Sequence, residues 1–206
     1  MVATVGLLGP GRIGEPMVER LLAAGHDVTV HARRAEVRDR LAARGARPTD
    51  TAVEVAEADV VVSCLYDDAQ LREVAAPVVA AMRPDTVFVS HTTGTPRVLD
   101  ELAALGRAGV VDAPFSGTAE DVCARSLTVY LGGSADDTAT ARRVLAAYAD
   151  PILPTGARGT ALRTKLLNNL LFGAISRLTL AAVEAGRELG IDEAALLAAL
   201  RAGSGG

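Results

Sequence analysis

The strongest constraint on the fold is a glycine turn near the N-terminus that joins two short segments of different character. Residues 3–9 form an apolar run typical of a buried strand, and residues 11–24 have the spacing of an amphipathic helix. The sequence GPGRIG, at positions 9–14, lies between them. A strand that turns into a helix in this way is the first half of a βαβ unit, which favours a parallel sheet covered by helices.

The same alternation continues to about residue 155. Val-rich and Leu-rich runs of this kind suit strands that are buried on both faces of a parallel sheet. The later predicted strands are 27–32, 58–65, 85–90, 110–113, 127–131 and 152–153, and the predicted helices between them are 35–44, 68–82 and 96–107. The pattern predicts an α/β fold with a Rossmann-type doubly wound sheet.

The glycine turn also predicts a ligand. In a G-x-G-x-x-G turn the glycines allow the backbone to approach a pyrophosphate closely, and the free N–H groups of the helix N-terminus face its charge. The motif is weak when it stands alone, but here it follows a strand, opens a helix and precedes a second strand. We therefore predict a dinucleotide-binding domain over residues 1–156, with cofactor contacts from Gly9, Gly11, Arg12, Ile13, Gly14 and, at the end of the third strand, Leu65.

The end of the second predicted strand indicates which dinucleotide binds. An NAD site usually has an acidic residue there for the ribose 2′-hydroxyl, whereas the sequence at 30–34 is VHARR. Arg33 and Arg34 stand where a 2′-phosphate would lie, which favours NADP over NAD. The alternative is that the two arginines simply open a solvated helix.

A different pattern begins after residue 159. Residues 160–189 form one uninterrupted helical stretch without proline, longer than the roughly 11–12 residues of an average helix. Asp192 is a predicted N-cap, and 194–202 is a further helix. We predict that 157–206 is the start of an incomplete helical domain. Two helices bury little core by themselves, so the chain is expected to be either truncated or completed by a partner, with a homodimer favoured.

One basic residue differs from all the others. Of 21 basic residues only Lys165 is lysine, and the rest are arginine. Arginine stays charged above pH 12, whereas a buried lysine can exchange a proton closer to neutral pH. Asn169 follows Lys165 at a spacing of i, i+4, on the same helix face. Asn168 and Asn169 interrupt an apolar run, which indicates either a functional pair or a hydrogen bond between helices in the core.

Competing chemistries fit the sequence less well. None of the three tyrosines is followed four residues later by lysine, as a short-chain dehydrogenase requires. His91 is the one histidine placed at the end of a central strand near a predicted cofactor. No GxSxG, HExxH or Walker lysine pattern occurs. Lys165 is therefore the predicted acid/base residue.

Composition narrows the class of protein. Half of the residues are apolar and the net charge is −4, which does not fit nucleic-acid binding. Cys64 and Cys123 are isolated, so neither a disulfide framework nor a metal site is expected. The N-terminus lacks a signal-peptide pattern, and the polar residues between 166 and 183 do not fit a membrane span. We expect a soluble, cytoplasmic protein without a membrane segment.

Taken together, the motifs resemble the β-hydroxyacid dehydrogenase family, which includes 3-hydroxyisobutyrate dehydrogenases. GLLGPGRIGEPM is similar to the family's first motif, and HTTGTP at 91–96 is similar to its S-T-x-x-P loop. DAPFSGT at 112–118, followed by LTVYLGG, is similar to D-A-P-V-S-G-G and its downstream strand. GTALRTKLLNN, followed by EAGRELG, is similar to the family's lysine motif. The four motifs occur in the family's order across the chain.

This resemblance implies roles for particular residues. Lys165 would transfer the proton, Ser116 and the Gly117 backbone would hold the carboxylate of a small anionic substrate together with Thr118, and Asn169 would position lysine or substrate. Thr93 would lie beside the nicotinamide. The implied activity is that of an NADP-dependent oxidoreductase acting on a small 3-hydroxy acid or its carbonyl counterpart.

Departures from the family pattern leave two other hypotheses open. Ile13 stands where methionine is usual, and Phe115, Thr118 and Arg125 replace smaller residues, which is expected to narrow or recharge the substrate pocket. HTTGTP also resembles the corresponding loop of imine reductases. Family members are longer than this chain, so a truncated, non-catalytic NADP-binding protein is the remaining alternative.

Overall fold

The computed structural model describes residues 2–203 and contains two compact units, the first ending at Lys165 and the second beginning at Leu166. The outer limits of the predicted domains, residues 1 and 206, lie outside the described range. The predicted boundary between residues 156 and 157 falls where the last strand ends and stays a prediction.

A single mixed sheet forms the frame of the first unit. Its strands are β1 (Thr4–Leu8), β2 (Asp27–His31), β3 (Arg47–Thr49), β4 (Val60–Ser63), β5 (Val87–Ser90), β6 (Gly109–Asp112), β7 (Phe115–Ser116), β8 (Leu127–Gly132) and β9 (Ala149–Gly156). They lie in the order β3-β2-β1-β4-β5-β6-β8-β7, with β9 beside β8. All neighbours from β3 to β6 are parallel. The predicted Rossmann-type doubly wound sheet is therefore confirmed.

Helices connect these strands and cover the sheet. They are α1 (Gly14–Ala23), α2 (Ala35–Ala42), α3 (Asp68–Gln70), α4 (Ala76–Ala81), α5 (Pro96–Ala103), α6 (Ala119–Ala124), α7 (Ala135–Leu145) and the first residues of α8 (Thr160–Glu188). A 3₁₀ helix, Ala52–Glu57, precedes β4. The helix predicted over 68–82 is interrupted by a π turn at Leu71–Ala75.

The prediction of a parallel sheet is wrong at one edge. Strand β8 is antiparallel to both β6 and β7, and only its other neighbour, β9, is parallel to it. The connection from β7 to β8 contains just the short helix α6, and antiparallel strands can be joined by such short connections. The segment at 115–116, which the sequence indicates only as a turn, pairs with β8 as a short strand.

Both faces of the sheet are buried by apolar side chains that alternate along each strand. Leu7 packs in one cluster with Met17 and Leu21 of α1, while Leu8 packs on the opposite side in a cluster with Val79 and Leu99. Full burial of such a side chain contributes about 1.5–3 kcal/mol. The carboxyl ends of the parallel strands are thereby fixed, and so are the loops that leave them.

The second unit contains the remainder of α8 together with α9 (Glu193–Ala202). The predicted long helix is confirmed, and so is the predicted cap, since the Asp192 carboxylate accepts a hydrogen bond from the Ala195 N–H at 3.0 Å. Many large apolar side chains of this unit are exposed: Leu166, Leu167, Leu170, Leu171, Phe172, Ile175, Leu178, Leu180, Leu189, Ile191 and Leu197. By length and composition alone, α8 is apolar enough to cross a membrane.

Candidate active site

A cleft of about 630 Å³ opens at the carboxyl ends of β1, β2, β4 and β5. Ligand pockets in proteins have volumes of roughly 300–1,000 Å³, and in open α/β sheets they lie at this edge. The predicted cofactor contacts that line the cleft are Gly9, Gly11, Arg12, Ile13, Gly14, Arg33, Arg34, Leu65 and Thr93. The structure therefore brings together side chains and backbone from four separate loops.

Glycine is needed at three positions of the loop after β1, and the structural reason differs between them. Gly9 has φ +85°, and a Cβ there would collide with the Cys64 carbonyl oxygen. A Cβ on Gly14 would collide with the Gly9 carbonyl oxygen. Among residues 2–203, none apart from the two chain neighbours of Gly11 has an atom within 4 Å of a Cβ placed there. The chain's own packing explains Gly9 and Gly14, whereas the open space at Gly11 fits the close approach of a pyrophosphate to the backbone.

At the end of β2 the cleft is lined by exposed arginines. Arg34 lies 3.6 Å from Glu36 in an exposed ion pair, and such pairs contribute little to stability. Arg38 donates hydrogen bonds from Nη1 to the Ala32 and Arg33 carbonyl oxygens, both at 2.9 Å, which fixes the backbone between β2 and α2. The Arg33 and Arg34 side chains thus remain available to an anion on a rigid backbone.

The loop after β5 carries Thr93 and is held by contacts on both sides. The Thr92 hydroxyl donates to the Leu65 carbonyl oxygen at 3.0 Å. Thr95 donates to the Asp68 carboxylate through its N–H at 3.1 Å and through its hydroxyl at 2.7 Å. A Cβ on Gly94 would collide with that carboxylate. Thr93 therefore lines the cleft from a preformed loop.

His91 opens this loop and is buried. Burial lowers the pKa of His91 to about 4, so the imidazole is neutral near physiological pH. Its Nδ1–H donates to the Ala113 carbonyl oxygen at 2.5 Å, which leaves Nε2 to accept from the Tyr148 hydroxyl at 2.8 Å. The histidine lines the cleft as predicted, but both ring nitrogens have partners, which does not favour a role as acid/base.

Lys165 and Ser116 meet at the start of α8. The Lys165 ammonium donates to Ser116 Oγ at 3.2 Å, although 48 residues separate them in sequence. Burial lowers the pKa of Lys165 from its usual value of 10.5. Ser116 is held by the pairing of β7 with β8, where it lies opposite Thr128. An amine with a lowered pKa thus lies beside a hydroxyl on a strand that pairs with β8.

The neighbours of Ser116 are arranged by the chain itself. Gly117 has φ +137°, and a Cβ there would lie 2.9 Å from Asp121 Oδ2 and from Leu127 Cδ1. Thr118 donates to the Asp121 carboxylate through its N–H at 2.7 Å and its hydroxyl at 3.1 Å, forming a capping box for α6. Thr118 therefore has a structural function, and its predicted contact with substrate stays a prediction.

Phe115 and Arg125, two residues that depart from the family pattern, lie in different parts of the structure. Phe115 lines the cleft, as a narrowing residue would. Arg125 ends α6 in the left-handed region at φ +61°, and its guanidinium donates to the Ala146 carbonyl oxygen at 3.4 Å. A left-handed helix end explains why glycine is usual at this position. Arg125 is not among the residues that line the cleft, and its expected effect on the substrate pocket stays a prediction.

Asn168 and Asn169 belong to the second unit. Asn168 is half-buried and Asn169 is exposed, and their roles stay predictions.

Two residues that hold the loop after β5, Asp68 and Tyr148, were not predicted from the sequence. Asp68 carries a weak signal, since it follows a strand end and opens a helix. Tyr148 carries none, because its partner is 57 residues away.

Comparison with known proteins identifies the family. Residues 4–157, more than half of the chain, match the family described as the NAD binding domain of 6-phosphogluconate dehydrogenase. A "Probable 3-hydroxyisobutyrate dehydrogenase" from Mycobacterium tuberculosis is 33% identical over 184 residues, covering 87% of this chain and 62% of that protein. The 3-hydroxyisobutyrate dehydrogenase of Pseudomonas aeruginosa is 32% identical over 215 residues, covering 98% of this chain and 70% of that protein.

A solved structure has the same fold. The 3-hydroxyisobutyrate dehydrogenase of Mycobacterium tuberculosis, described with L-serine, superimposes with a TM-score of 0.92 at 30% identity, covering all of this chain and 72% of that one. The chain spans about three fifths of the length of the curated mycobacterial relative. Because its first domain matches an NAD-binding family and a 3-hydroxyisobutyrate dehydrogenase is 32% identical over 70% of its length, the chain belongs to the β-hydroxyacid dehydrogenase family.

Proposed function

We propose that the chain functions as an NADP-dependent oxidoreductase that acts on the CH–OH group of a small 3-hydroxy acid, or on its carbonyl counterpart, with Lys165 as the general acid/base. The observation that carries the proposal is the contact between Lys165 Nζ and Ser116 Oγ at 3.2 Å. It joins the one lysine of the chain to the serine of the DAPFSGT motif. A bound NADP would supply the hydride acceptor or donor.

The residues of this chain have separate tasks in the proposed reaction. Lys165 accepts the hydroxyl proton in the oxidation direction and returns it to the carbonyl oxygen in reduction. The lowered pKa of Lys165 supports this role, because proton transfer is most efficient when the pKa lies near the working pH. Ser116 and the Gly117 N–H hold the substrate carboxylate, and Asn169 positions lysine or substrate.

Arg33 and Arg34 support NADP as the preferred cofactor. Both line the cleft at the end of β2, where an NAD site usually has an acidic side chain. A guanidinium binds a phosphate through charge-assisted hydrogen bonds, which are stronger than bonds between neutral groups. We therefore propose that these arginines bind the 2′-phosphate.

Turnover measurements test the catalytic proposal. We expect NADP-dependent oxidation within a panel of short 3-hydroxy acids that includes L-serine, because the mycobacterial structure is described with that compound. Lys165→Ala should abolish turnover while NADPH still binds. Arg163→Ala is the matched control, since it removes an exposed positive charge two residues away on the same helix. Unchanged turnover in Lys165→Ala would contradict the proposal.

The same panel separates the two alternatives. Reduction of cyclic imines without turnover of short hydroxy or carbonyl acids would favour an imine reductase, as the HTTGTP loop suggests. Binding of NADPH without turnover of any compound would favour a non-catalytic NADP-binding protein.

We further propose a cytoplasmic homodimer in which a second copy covers the exposed apolar side chains of the second unit. Support comes from the number of large side chains exposed there and from the polar residues Asn168, Asn169 and Arg177 within α8, which do not suit lipid. A mass measurement in solution, with and without NADPH, should give twice the chain mass. A monomer, or partition into the membrane fraction, would contradict this assembly.

A further inference from the structure

A buried carboxylate lies at the junction between the sheet and the lysine-bearing helix. Asp112 ends β6 and has no solvent exposure. Its Oδ1 accepts a hydrogen bond from the Gly159 N–H at 2.8 Å, and its Oδ2 accepts one from the Leu162 N–H at 2.9 Å. These donors belong to the N-terminus of α8, where backbone N–H groups lack partners within the helix. Asp112 therefore binds the start of α8 to the end of β6.

The same segment of chain also carries Ser116. Ser116 lies four positions after Asp112, and Lys165 lies three positions after Leu162 on α8. Lys165 in turn contacts Ser116 at 3.2 Å. Asp112, the start of α8, Lys165 and Ser116 are therefore linked in a ring by short stretches of backbone and by hydrogen bonds. The two bonds of Asp112 thus set the distance between the lysine and the serine.

The strand beside Asp112 leaves little space for the carboxylate to move. Gly132 of β8 is the register partner of Asp112. A Cβ on Gly132 would lie 2.7 Å from Asp112 Oδ1 and 3.1 Å from Thr160 Oγ1. The absence of a side chain at position 132 therefore lets the carboxylate reach the helix, and a methyl group there would displace it.

We propose that Asp112 is a positioning residue, which holds Lys165 against Ser116 by fixing the N-terminus of α8. The catalytic significance of this role rests on the proposed function, whereas the placement of the lysine does not. A carboxylate is suited to this task because its two oxygens accept two separate N–H groups. An asparagine has one acceptor oxygen and turns an NH₂ group towards the second N–H.

Two other roles for Asp112 make different predictions. If Asp112 only stabilised the fold, its substitution would change stability and leave the surroundings of Lys165 unaltered. If it acted mainly through its charge, removing the carboxylate would lower the pKa of Lys165, since a nearby negative charge favours the ammonium. Release of the helix start would instead expose the amine and raise its pKa, because burial is what lowers it.

Lys165 can be followed directly because it is the one lysine in the chain. Incorporation of lysine isotopically labelled at the ε-carbon gives one lysine NMR signal, whose titration reports the pKa of Lys165 without substrate or cofactor. The variants are Asp112→Asn and Gly132→Ala, which loosen the same link by different means. Asp59→Asn is the matched control, because Asp59 also accepts from a backbone N–H, that of Thr4, but lies directly before the central strand β4, at the amino-terminal ends of the parallel strands.

We expect the pKa of Lys165 to rise in Asp112→Asn and in Gly132→Ala, and to stay unchanged in Asp59→Asn. Burial raises the pKa of Asp112, so its ionised form is costly to bury and the neutral asparagine is expected to fold. If Asp112→Asn does not fold, Gly132→Ala alone decides. An unchanged or lowered pKa of Lys165 in a folded variant would overturn the proposal. Because no turnover is measured, failure here is distinct from failure of the proposed reaction.

Discussion

Two regions of the first unit differ in how their side chains are held: the residues around His91 and Lys165, here called the buried end, are buried or half-buried and joined by hydrogen bonds, whereas the loop after β2, here called the exposed end, presents arginines in solvent. His91 and Tyr148 are buried and bonded to each other, and Lys165 contacts Ser116 on a fixed strand. Arg33 and Arg34 project from an exposed loop. The buried end is therefore preorganised, and substitutions there should change the stability of the fold. The exposed end can change its charge without disturbing the core.

The largest effects on stability and on NADPH binding are expected at two glycines of the loop after β1, and they should differ in kind. Gly9→Ala should lower the free energy of unfolding by about 3–4 kcal/mol, because alanine is strained at φ +85° and its methyl group collides with the Cys64 carbonyl oxygen. Gly11→Ala should leave that free energy within about 0.5 kcal/mol, since its methyl group would point into open space in the part of the chain that the structure describes. It should nevertheless weaken NADPH binding at least about tenfold.

Denaturant unfolding and a fluorescence titration with NADPH measure both quantities. A Gly11→Ala variant with normal NADPH affinity would show that the backbone there does not meet the cofactor.

A smaller effect on stability is expected at the buried end. His91→Phe keeps a ring in place but leaves the Ala113 carbonyl and the Tyr148 hydroxyl without partners, and each unsatisfied buried group costs roughly 1–3 kcal/mol. We expect a loss of about 2–3 kcal/mol. Adding Tyr148→Phe should recover part of it, because the unpaired hydroxyl is removed. Fully additive losses in a double-mutant cycle would contradict the coupling.

The pH dependence of stability provides a separate test of His91. Its pKa falls from the usual value of 6.5 to about 4 on folding, because the buried imidazole resists protonation. The unfolded chain thus binds the proton more readily, and this contribution to stability is complete above pH 6.5 and is lost as the pH falls towards 4. The difference between wild type and His91→Phe should therefore shrink over that range. A difference that is constant with pH would contradict a buried neutral imidazole.

The smallest effects are expected at the exposed end. The double variant Arg33→Ala, Arg34→Ala should weaken NADPH binding by roughly tenfold to a hundredfold, as loss of charge-assisted hydrogen bonds would do, while NADH binding and thermal stability stay unchanged. Arg47→Ala, an exposed arginine on β3 outside the cleft, is the control. Equal weakening for NADPH and NADH would mean that the arginines do not discriminate the 2′-phosphate.

The same contrast explains what the sequence could predict. The glycine loop and most of the strands are local patterns, so the parallel core of the sheet and the residues that line the cleft at its carboxyl ends were predictable. The helix α6 was missed because it has only six residues, and α7 was missed although Ser134 and Asp137 mark its start. The link from His91 to Tyr148 and the link from Asp112 to α8 join segments that are distant in sequence. Such contacts follow from the packing of the whole sheet.

The most direct test of Lys165 as the general acid/base is the pH dependence of kcat/KM for wild type beside Lys165→Arg, which keeps the charge but cannot lose its proton near neutral pH. With Lys165 in this role, we expect an ionisation in the wild-type profile below the usual lysine pKa of 10.5, matching the NMR titration of Lys165, and a variant that binds NADPH with little turnover. A Lys165→Arg variant that keeps wild-type turnover, with the same ionisation in its profile, would contradict it.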